Sequence, residues 1–341
     1  MTRAGRTAVA IAVACAATAA HAGDGGGRSP SPLGRLWRDV RAVVADAIAP
    51  RVEPPQPVRV VWRPRALGVL DLGAPLIALA AGDVDGDGRA ELVAVTTAEV
   101  AIVSSDGRAP RVVARAPLPA EPAVPRSRDP VGAAVVADVD GDGRTEIVAR
   151  SSDRARAGAW TWRGGELVAT APRDGFFVCR DVVADLVPGR NYYSRARTRP
   201  ELPVPDAWVG LACADVADAT GRLWRWRAVV GVDGALVAWR DDDRARYAIA
   251  GRGYAIAIGD IDGDGAPEVV TATARPPGRG DRAEVYSLAG GVTRRVAQGP
   301  PVAGGIAGVA IADVDGDGGR DAIVAVRDPG AAEVELWRLN R

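Results

Sequence analysis

Lysine is absent from this 341-residue chain, and histidine occurs once, at His21. Without lysine there is no phosphate-binding loop of the Gly-x-x-x-x-Gly-Lys type and no amine for Schiff-base chemistry. His21 lies in a segment expected to be removed, so the mature chain lacks the usual base of a catalytic triad and the commonest zinc ligand. Carboxylates, arginine, tyrosine and serine are left for acid/base work, which favours a binding protein over an enzyme. All 43 basic residues are therefore arginines, and they balance 43 acids to a formal charge of zero. That balance carries no specific nucleic-acid or membrane signal. The use of arginine alone fits a GC-rich genome, with a dedicated polyanion-binding surface as the alternative.

What the chain has is a repeated acidic loop. Asp83-Val84-Asp85-Gly86-Asp87-Gly88-Arg89-Ala90-Glu91 returns from Asp138 to Glu146, from Asp260 to Glu268 and from Asp313 to Asp321. Every copy has carboxylates at positions 1, 3, 5 and 9, and together the copies hold sixteen of the 43 acids. Acids at alternate positions of a tight turn repel one another unless a hard cation lies among them. Calcium suits that place because it takes six to eight oxygen ligands in a flexible shell. The candidate ligands are Asp83, Asp85, Asp87 and Glu91; Asp138, Asp140, Asp142 and Glu146; Asp260, Asp262, Asp264 and Glu268; and Asp313, Asp315, Asp317 and Asp321. The position 7 carbonyls of Arg89, Arg144, Ala266 and Gly319 complete the sets, giving about four calcium sites. An EF-hand begins the same way, but its position 12 Glu is replaced here by Ala94, Ala149, Thr271 and Val324. Short runs of small and β-branched residues flank each loop, so the loops are read as the turns of β-hairpins.

Taken in order, residues 1–22 have the parts of a secretory signal: Arg3 and Arg6, an apolar stretch from Thr7 to Ala20, and Ala20-His21-Ala22 as a cleavage site. Export to the periplasm, the cell surface or the medium is expected, with lipid anchoring through Cys15 as the rival route. The mature chain shows no transmembrane helix pattern. Cys179 and Cys213 then form an even pair in an exported protein, which predicts a disulfide. Residues 23–56 read as a Gly/Ser/Pro-rich tether and an amphipathic helix carrying Leu33, Leu36, Trp37, Val40, Val43, Val44 and Ile48.

From residue 57 onward the chain reads as an all-β domain of four-stranded units. The loop starts at 83, 138, 260 and 313 leave a middle gap about twice the others, which predicts a degenerate unit around Asp215-Val216-Ala217-Asp218 with no metal. Repeats of this length suggest a β-propeller, because no single unit can bury both faces alone. Five blades are counted, with six or seven left open. The last unit lacks a fourth strand, and Ala66 to Leu72 is expected to supply it and seal the ring. Trp162-Arg163, Trp239-Arg240 and Trp337-Arg338 recur near the ends of third strands and are read as packing between units.

At its acidic loops the sequence resembles the FG-GAP/VCBS repeat family, the calcium-loop propellers that include the integrin α-subunit head. The resemblance covers roughly Val58 to Arg341. It implies a propeller with calcium in hairpin loops, used for adhesion or ligand recognition, with the acids at positions 1, 3, 5 and 9 as ligands. The family's Phe-Gly and Gly-Ala-Pro signatures are absent, and three loops end in Glu where Asp is commoner.

An insertion at 173–206 holds both phenylalanines, Phe176 and Phe177, together with Tyr192, Tyr193, Arg195 and Arg197. It reads as a long loop without regular structure. Its residues suit a recognition surface for a protein or carbohydrate ligand with anionic groups, the plainer reading being a cover for the degenerate unit. The function expected is a non-enzymatic, exported, calcium-binding recognition or adhesion module. A calcium-assisted polysaccharide-active enzyme of the lyase type and a structural part of an envelope assembly are the alternatives.

Overall fold

The structure is a computed structural model. It describes residues 63–340 apart from 105–108, 121–129, 140–141, 155, 171–175, 179–181, 187–192, 196–206, 241–246 and 275–276. The chain divides into two compact units, residues 1–49 and 50–341, and every described residue belongs to the second. The expected signal, tether and helix lie outside the described residues.

The second unit is a β-propeller of five four-stranded antiparallel blades, with almost no helix. The first strand, β1 (Arg63–Asp71), belongs to the last blade. Blade one is β2 (Leu76–Gly82), β3 (Glu91–Thr96), β4 (Glu99–Ser104) and β5 (Arg111–Pro117). Blade two is β6 (Gly132–Ala137), β7 (Glu146–Ser151), β8 (Gly158–Arg163) and β9 (Glu166–Ala169). The insertion contributes β10 (Phe176–Val178), β11 (Val182–Leu186) and β12 (Tyr193–Arg195). Blade three is β13 (Ala207–Ala217), β14 (Leu223–Gly231), β15 (Leu236–Arg240) and β16 (Tyr247–Ile249). Blade four is β17 (Ile256–Gly259), β18 (Glu268–Ala272), β19 (Ala283–Ser287) and β20 (Arg294–Gln298). Blade five is β21 (Gly305–Ala312), β22 (Asp321–Arg327) and β23 (Glu333–Asn340), completed by β1.

Each blade is covered on both faces, which is why its second strand carries consecutive apolar residues, such as Leu92 to Val95 and Ile147 to Ala149, instead of alternating. β3, β7 and β18 are buried throughout. Successive side chains point to opposite faces, so Val93 and Val95 join a core with Ile147, Ala149 and Trp160 of blade two. Their neighbours Leu92 and Ala94 join one with Ile323, Ala325 and Leu336 of blade five. Three more cores lie between blades two and three, three and four, and four and five. Among the described residues the five cores match the five junctions of a closed ring.

The ring is sealed as the sequence predicts. β1 pairs antiparallel with β23 over Arg63↔Asn340 to Asp71↔Glu333, with a bulge at Ala66/Gly68. Two arginines reinforce the junction of blades five and one: Arg327 Nε donates to the Leu76 carbonyl at 2.9 Å, and Arg115 donates to the carbonyls of Leu72 and Asp71 at 2.9 and 3.0 Å. Between blades four and five the link is Asp281, 1% exposed, which accepts bonds from Thr273, Ala274 and Arg282 of its own blade and from the amide of Ile306 on β21.

The insertion differs from the expected structureless loop. β10, β11 and β12 form a short antiparallel ribbon, and β12 continues the sheet of blade three by pairing Tyr193↔Trp208 and Ser194↔Ala207 along β13. Tyr193 and Arg195 lie in β12, whereas Tyr192 and Arg197 lie outside the described residues. Cys213 on β13 is disulfide-bonded; its expected partner Cys179 lies outside the described residues.

Inner strands approach one another closely, and glycine permits it. A Cβ on Gly308 of β21 would lie 2.6 Å from Leu79 Cβ of β2, across the junction that closes the ring. Overpacking of this kind costs about 1–3 kcal/mol. Gly308→Val is expected to lower stability by that order in chemical denaturation.

Candidate metal centres

Each acidic loop joins the first strand of a blade to the second, β2 to β3, β6 to β7, β17 to β18 and β21 to β22. All four therefore open on the same face of the propeller. In the first loop Gly86 and Gly88 have φ of 81° and 87°, and a Cβ at either would meet nothing within 4 Å, so the backbone conformation, not space, calls for glycine there. That turn aims amides at the acids. Asp83 accepts from Gly86 N at 2.7 Å and Gly88 N at 3.0 Å, Asp85 from Asp87 N at 3.1 Å, and Asp87 from Arg89 N at 2.8 Å. Glu91 begins β3 and reaches back to accept from Val84 N at 3.0 Å.

The third loop repeats this network through Gly263, Gly265, Asp264 and Ala266, with Glu268 accepting from Ile261 N at 2.9 Å. In the second loop Glu146 accepts from Val139 N at 2.7 Å, Asp138 from Gly143 N and Asp142 from Arg144 N; Asp140 lies outside the described residues. In the fourth, Gly316 and Gly318 donate to Asp313 and Gly319 to Asp317.

Oxygen atoms of Asp83, Asp85 and Glu91 lie within 4.8 Å of one another, as do those of Asp260, Asp262 and Glu268. Two oxygens bound to one calcium at about 2.4 Å are at most about 4.8 Å apart, so these donor sets fit a single hard cation. Asp87 and Asp264 are not in these triads; their Oδ1 atoms hold the amides of the position 7 residues. Asp83, Asp85, Asp87 and Glu91 meet only backbone amides among the described residues. Burial, with the three aspartates adding to it, raises the pKa of Glu91 to about 7 and that of Glu268 to about 8. A bound cation would remove that penalty on the charged form.

The fourth loop is built differently. Its converging set is Asp313, Asp315 and Asp317, whose oxygens also lie within 4.8 Å of one another, and Asp321 is not among them. Arg338 of β23 enters the cluster, pairing through Nη1 with Asp315, through Nη2 with Asp317 at 3.7 Å and through Nε with Asp321 at 2.8 Å. Burial pushes Asp315 upward, but the hydrogen bond and charge of Arg338 outweigh it and leave the group below its usual range. Asp321 is raised to about 6 because its burial outweighs the same arginine.

Blade three has the degenerate hairpin. β13 and β14 run on past the point where the other blades open into a loop, so Asp215 sits within the strand opposite Arg225. The pair is bidentate, with Nε–Oδ1 at 3.0 Å and Nη2–Oδ2 at 3.2 Å. Asp218 organises the tightened turn by accepting from Thr220 N at 2.8 Å, Arg222 N at 3.1 Å and Trp224 Nε1 at 2.8 Å. Sequence reasoning missed both arginines, although Arg225 lies ten residues after Asp215 and could be found by pairing the two hairpin strands.

The Trp-Arg pairs do not occupy equivalent places. Arg338 faces Ile323, two residues inside the blade from Asp321, and Arg240 faces Trp226. Thr161 faces Glu146, which leaves Arg163 two residues beyond that acid. In blade three the arginine stacks on indoles: Arg240 lies 4.2 Å and Arg222 3.9 Å from the Trp224 ring centre.

A cleft of about 350 Å³ opens where the hairpins of blades three, four and five meet, lined by Asp215, Asp260, Asp262 and Arg320 among others. The acidic loops and the degenerate turn thus lie side by side, and Gly265 packs against the backbone of Ala217 to Ala219.

The fold and these loops define a five-bladed β-propeller with acidic hairpin loops. A family model described as FG-GAP-like repeat matches residues 83–149, from the first loop into the second strand of blade two. No curated protein matches the chain. Similar solved structures include BBS1N in complex with ARL6DN, 12% identical, covering 83% of this chain and 98% of that one at a TM-score of 0.45. Another is an arginine-to-alanine triple mutant of AofleA from Arthrobotrys oligospora, 10% identical, covering 84% and 89% at 0.46. A chain of the Mitotic Checkpoint Complex is 12% identical, covering 86% and 98% at 0.42. Among the described residues no helix is long and apolar enough to cross a membrane.

The raised carboxyl of Glu268 has a measurable consequence. The folded state binds its proton more tightly than an unfolded chain, whose Glu titrates near 4.5. The stability this adds is complete below that value and is lost as pH rises towards about 8. In chelator, stability should therefore fall with pH across this window, and Glu268→Gln should flatten the slope in urea denaturation at pH 5, 6.5 and 8.

Proposed function

We propose that this chain is an exported, calcium-binding β-propeller that acts as a non-enzymatic recognition or adhesion module. The observation that carries the reading is the convergence of three carboxylates on one point at the same hairpin of two separate blades, in loops one and three. The second loop has the same position 1, 5 and 9 bonding and belongs with them. The FG-GAP-like repeat match at 83–149 supports the assignment, since it spans two of these loops. Calcium here would be held by Asp83, Asp85 and Glu91 and by their counterparts. It would neutralise their mutual repulsion and stiffen the hairpins that form one face of the ring.

The absence of lysine and the single, N-terminal histidine favour binding over catalysis, because acids committed to a metal are not free for proton transfer. The N-terminal pattern of residues 1–22 supports export, where calcium is abundant enough for sites of modest affinity. Recognition of a partner with anionic groups is assigned to the 173–206 insertion through its tyrosines and arginines, among them Tyr193 and Arg195.

Titration calorimetry on the full chain tests the calcium reading, together with melting in calcium and in chelator. Each site filled at 100 times its dissociation constant adds about 2.7 kcal/mol, so a clear upward shift in melting temperature is expected. Asp85→Asn and Asp262→Asn should each remove one site. An unchanged melting temperature and no heat of binding would refute the reading.

A further inference from the structure

The four acidic loops are alike in sequence, yet the fourth already contains a cation. We propose that Arg338 is the permanent counter-ion of loop four and excludes calcium from it, so that the metal-responsive loops are those of blades one, two and four only. The inference rests on the calcium reading of the other loops and restricts it.

The geometry is specific to this blade. Arg338 touches three of the four acids that sequence assigns to the metal: Asp315, Asp317 and Asp321. Its side chain is about 10% exposed, so the guanidinium is enclosed and is not a surface charge visiting the loop. A guanidinium carries its charge at every accessible pH and offers five donors in a rigid fork, enough to engage several carboxylates together. Calcium entering this loop would have to expel an enclosed cation that is covalently part of the adjacent strand, leaving that cation buried among apolar side chains of the junction between blades five and one.

Register sets blade five apart. Counting each loop's first Asp as position 1, position 11 is Val93, Val148, Val270 and Ile323, and the residues facing it on the third strand are Ile102, Ala159, Val285 and Arg338. The first three are buried and apolar, at 0%, 2% and 1% exposure. At that facing position only blade five carries a cation; on the third strand of blade two the arginine is Arg163, two residues beyond the partner of Glu146. The shorter Asp321 in place of Glu fits this arrangement, because at 2.8 Å from Arg338 Nε it meets the guanidinium at its own strand end.

The blade concerned is the one closed by β1 and β23, the latter carrying Arg338. Its loop is therefore held by an ion that cannot dissociate, while calcium can come and go elsewhere in the ring.

Calcium stoichiometry, measured on the full chain by titration calorimetry and by terbium luminescence, tests this. Wild type and Asp315→Asn are expected to bind the same number of ions, and Arg338→Gln to bind one more. A drop of one site in Asp315→Asn, or no gain in a folded Arg338→Gln, overturns the proposal. Should Arg338→Gln fail to fold, Asp315→Asn decides alone, with an unchanged count in support and a lost site against. A wild type that binds no calcium defeats the broader reading, but Arg338→Gln then still reports on loop four: one site gained supports the role of Arg338 and none gained overturns it.

Discussion

A four-stranded sheet that is apolar on both faces cannot stand alone in water, and this constraint sets the architecture. Five such sheets cover one another only if the last returns to the first, so the molecule depends on the junction where residues distant in sequence meet. β1 comes from the start of the described chain and β23 from its end, and their eight paired positions turn an open stack into a ring. The cores on either side of blade five then become equivalent to the others. Arg327 and Arg115 cross the same region and donate to the carbonyls of Leu76 at the start of β2, Leu72 between β1 and β2, and Asp71 at the end of β1.

Inside that frame the hairpins face a second constraint, charge. Four acids in nine residues repel one another, and the turn answers part of the problem by pointing backbone amides at them. Amides satisfy lone pairs but carry no net charge, so burial, with the residual repulsion of the aspartates adding to it, leaves the carboxyls of Glu91 and Glu268 raised. Three solutions coexist in one ring. Loops one and three leave a converging set of oxygens suited to a metal. Blade five supplies a guanidinium from the neighbouring strand. Blade three replaces three of the acids with Ala217, Ala219 and Leu223, lengthens both strands and pairs the survivor Asp215 with Arg225.

The blades, their order and the sealing strand were legible because each rests on a local pattern: short apolar runs, a glycine turn and an edge lacking a partner. Blade three was legible from spacing alone, since its hairpin keeps its place in the count even after the acids have gone. Arg338 was not, because its role depends on strand register. Trp337-Arg338 looks like Trp239-Arg240 in a linear reading, and only the pairing Ile323↔Arg338 against Trp226↔Arg240 separates a residue under an acidic loop from one that stacks on Trp224. The insertion failed for a different reason. β10, β11 and β12 are three, five and three residues long, too short for any periodicity to show, and they exist because β13 offers them a free edge.

Arginine and calcium are not interchangeable answers to the same repulsion. A metal ion draws its ligands into a shell and leaves when its concentration falls, so a hairpin that depends on it changes stiffness with the medium. A guanidinium on a paired strand has no concentration dependence, and its lost side-chain entropy is already spent in folding the strand. The fixed cation lies in the blade closed by β1 and β23, where opening would undo the whole ring. On the proposed reading, the dissociable solution would fall to blades whose strands are contiguous in sequence, where a loosened hairpin can re-form without distant segments having to find each other again.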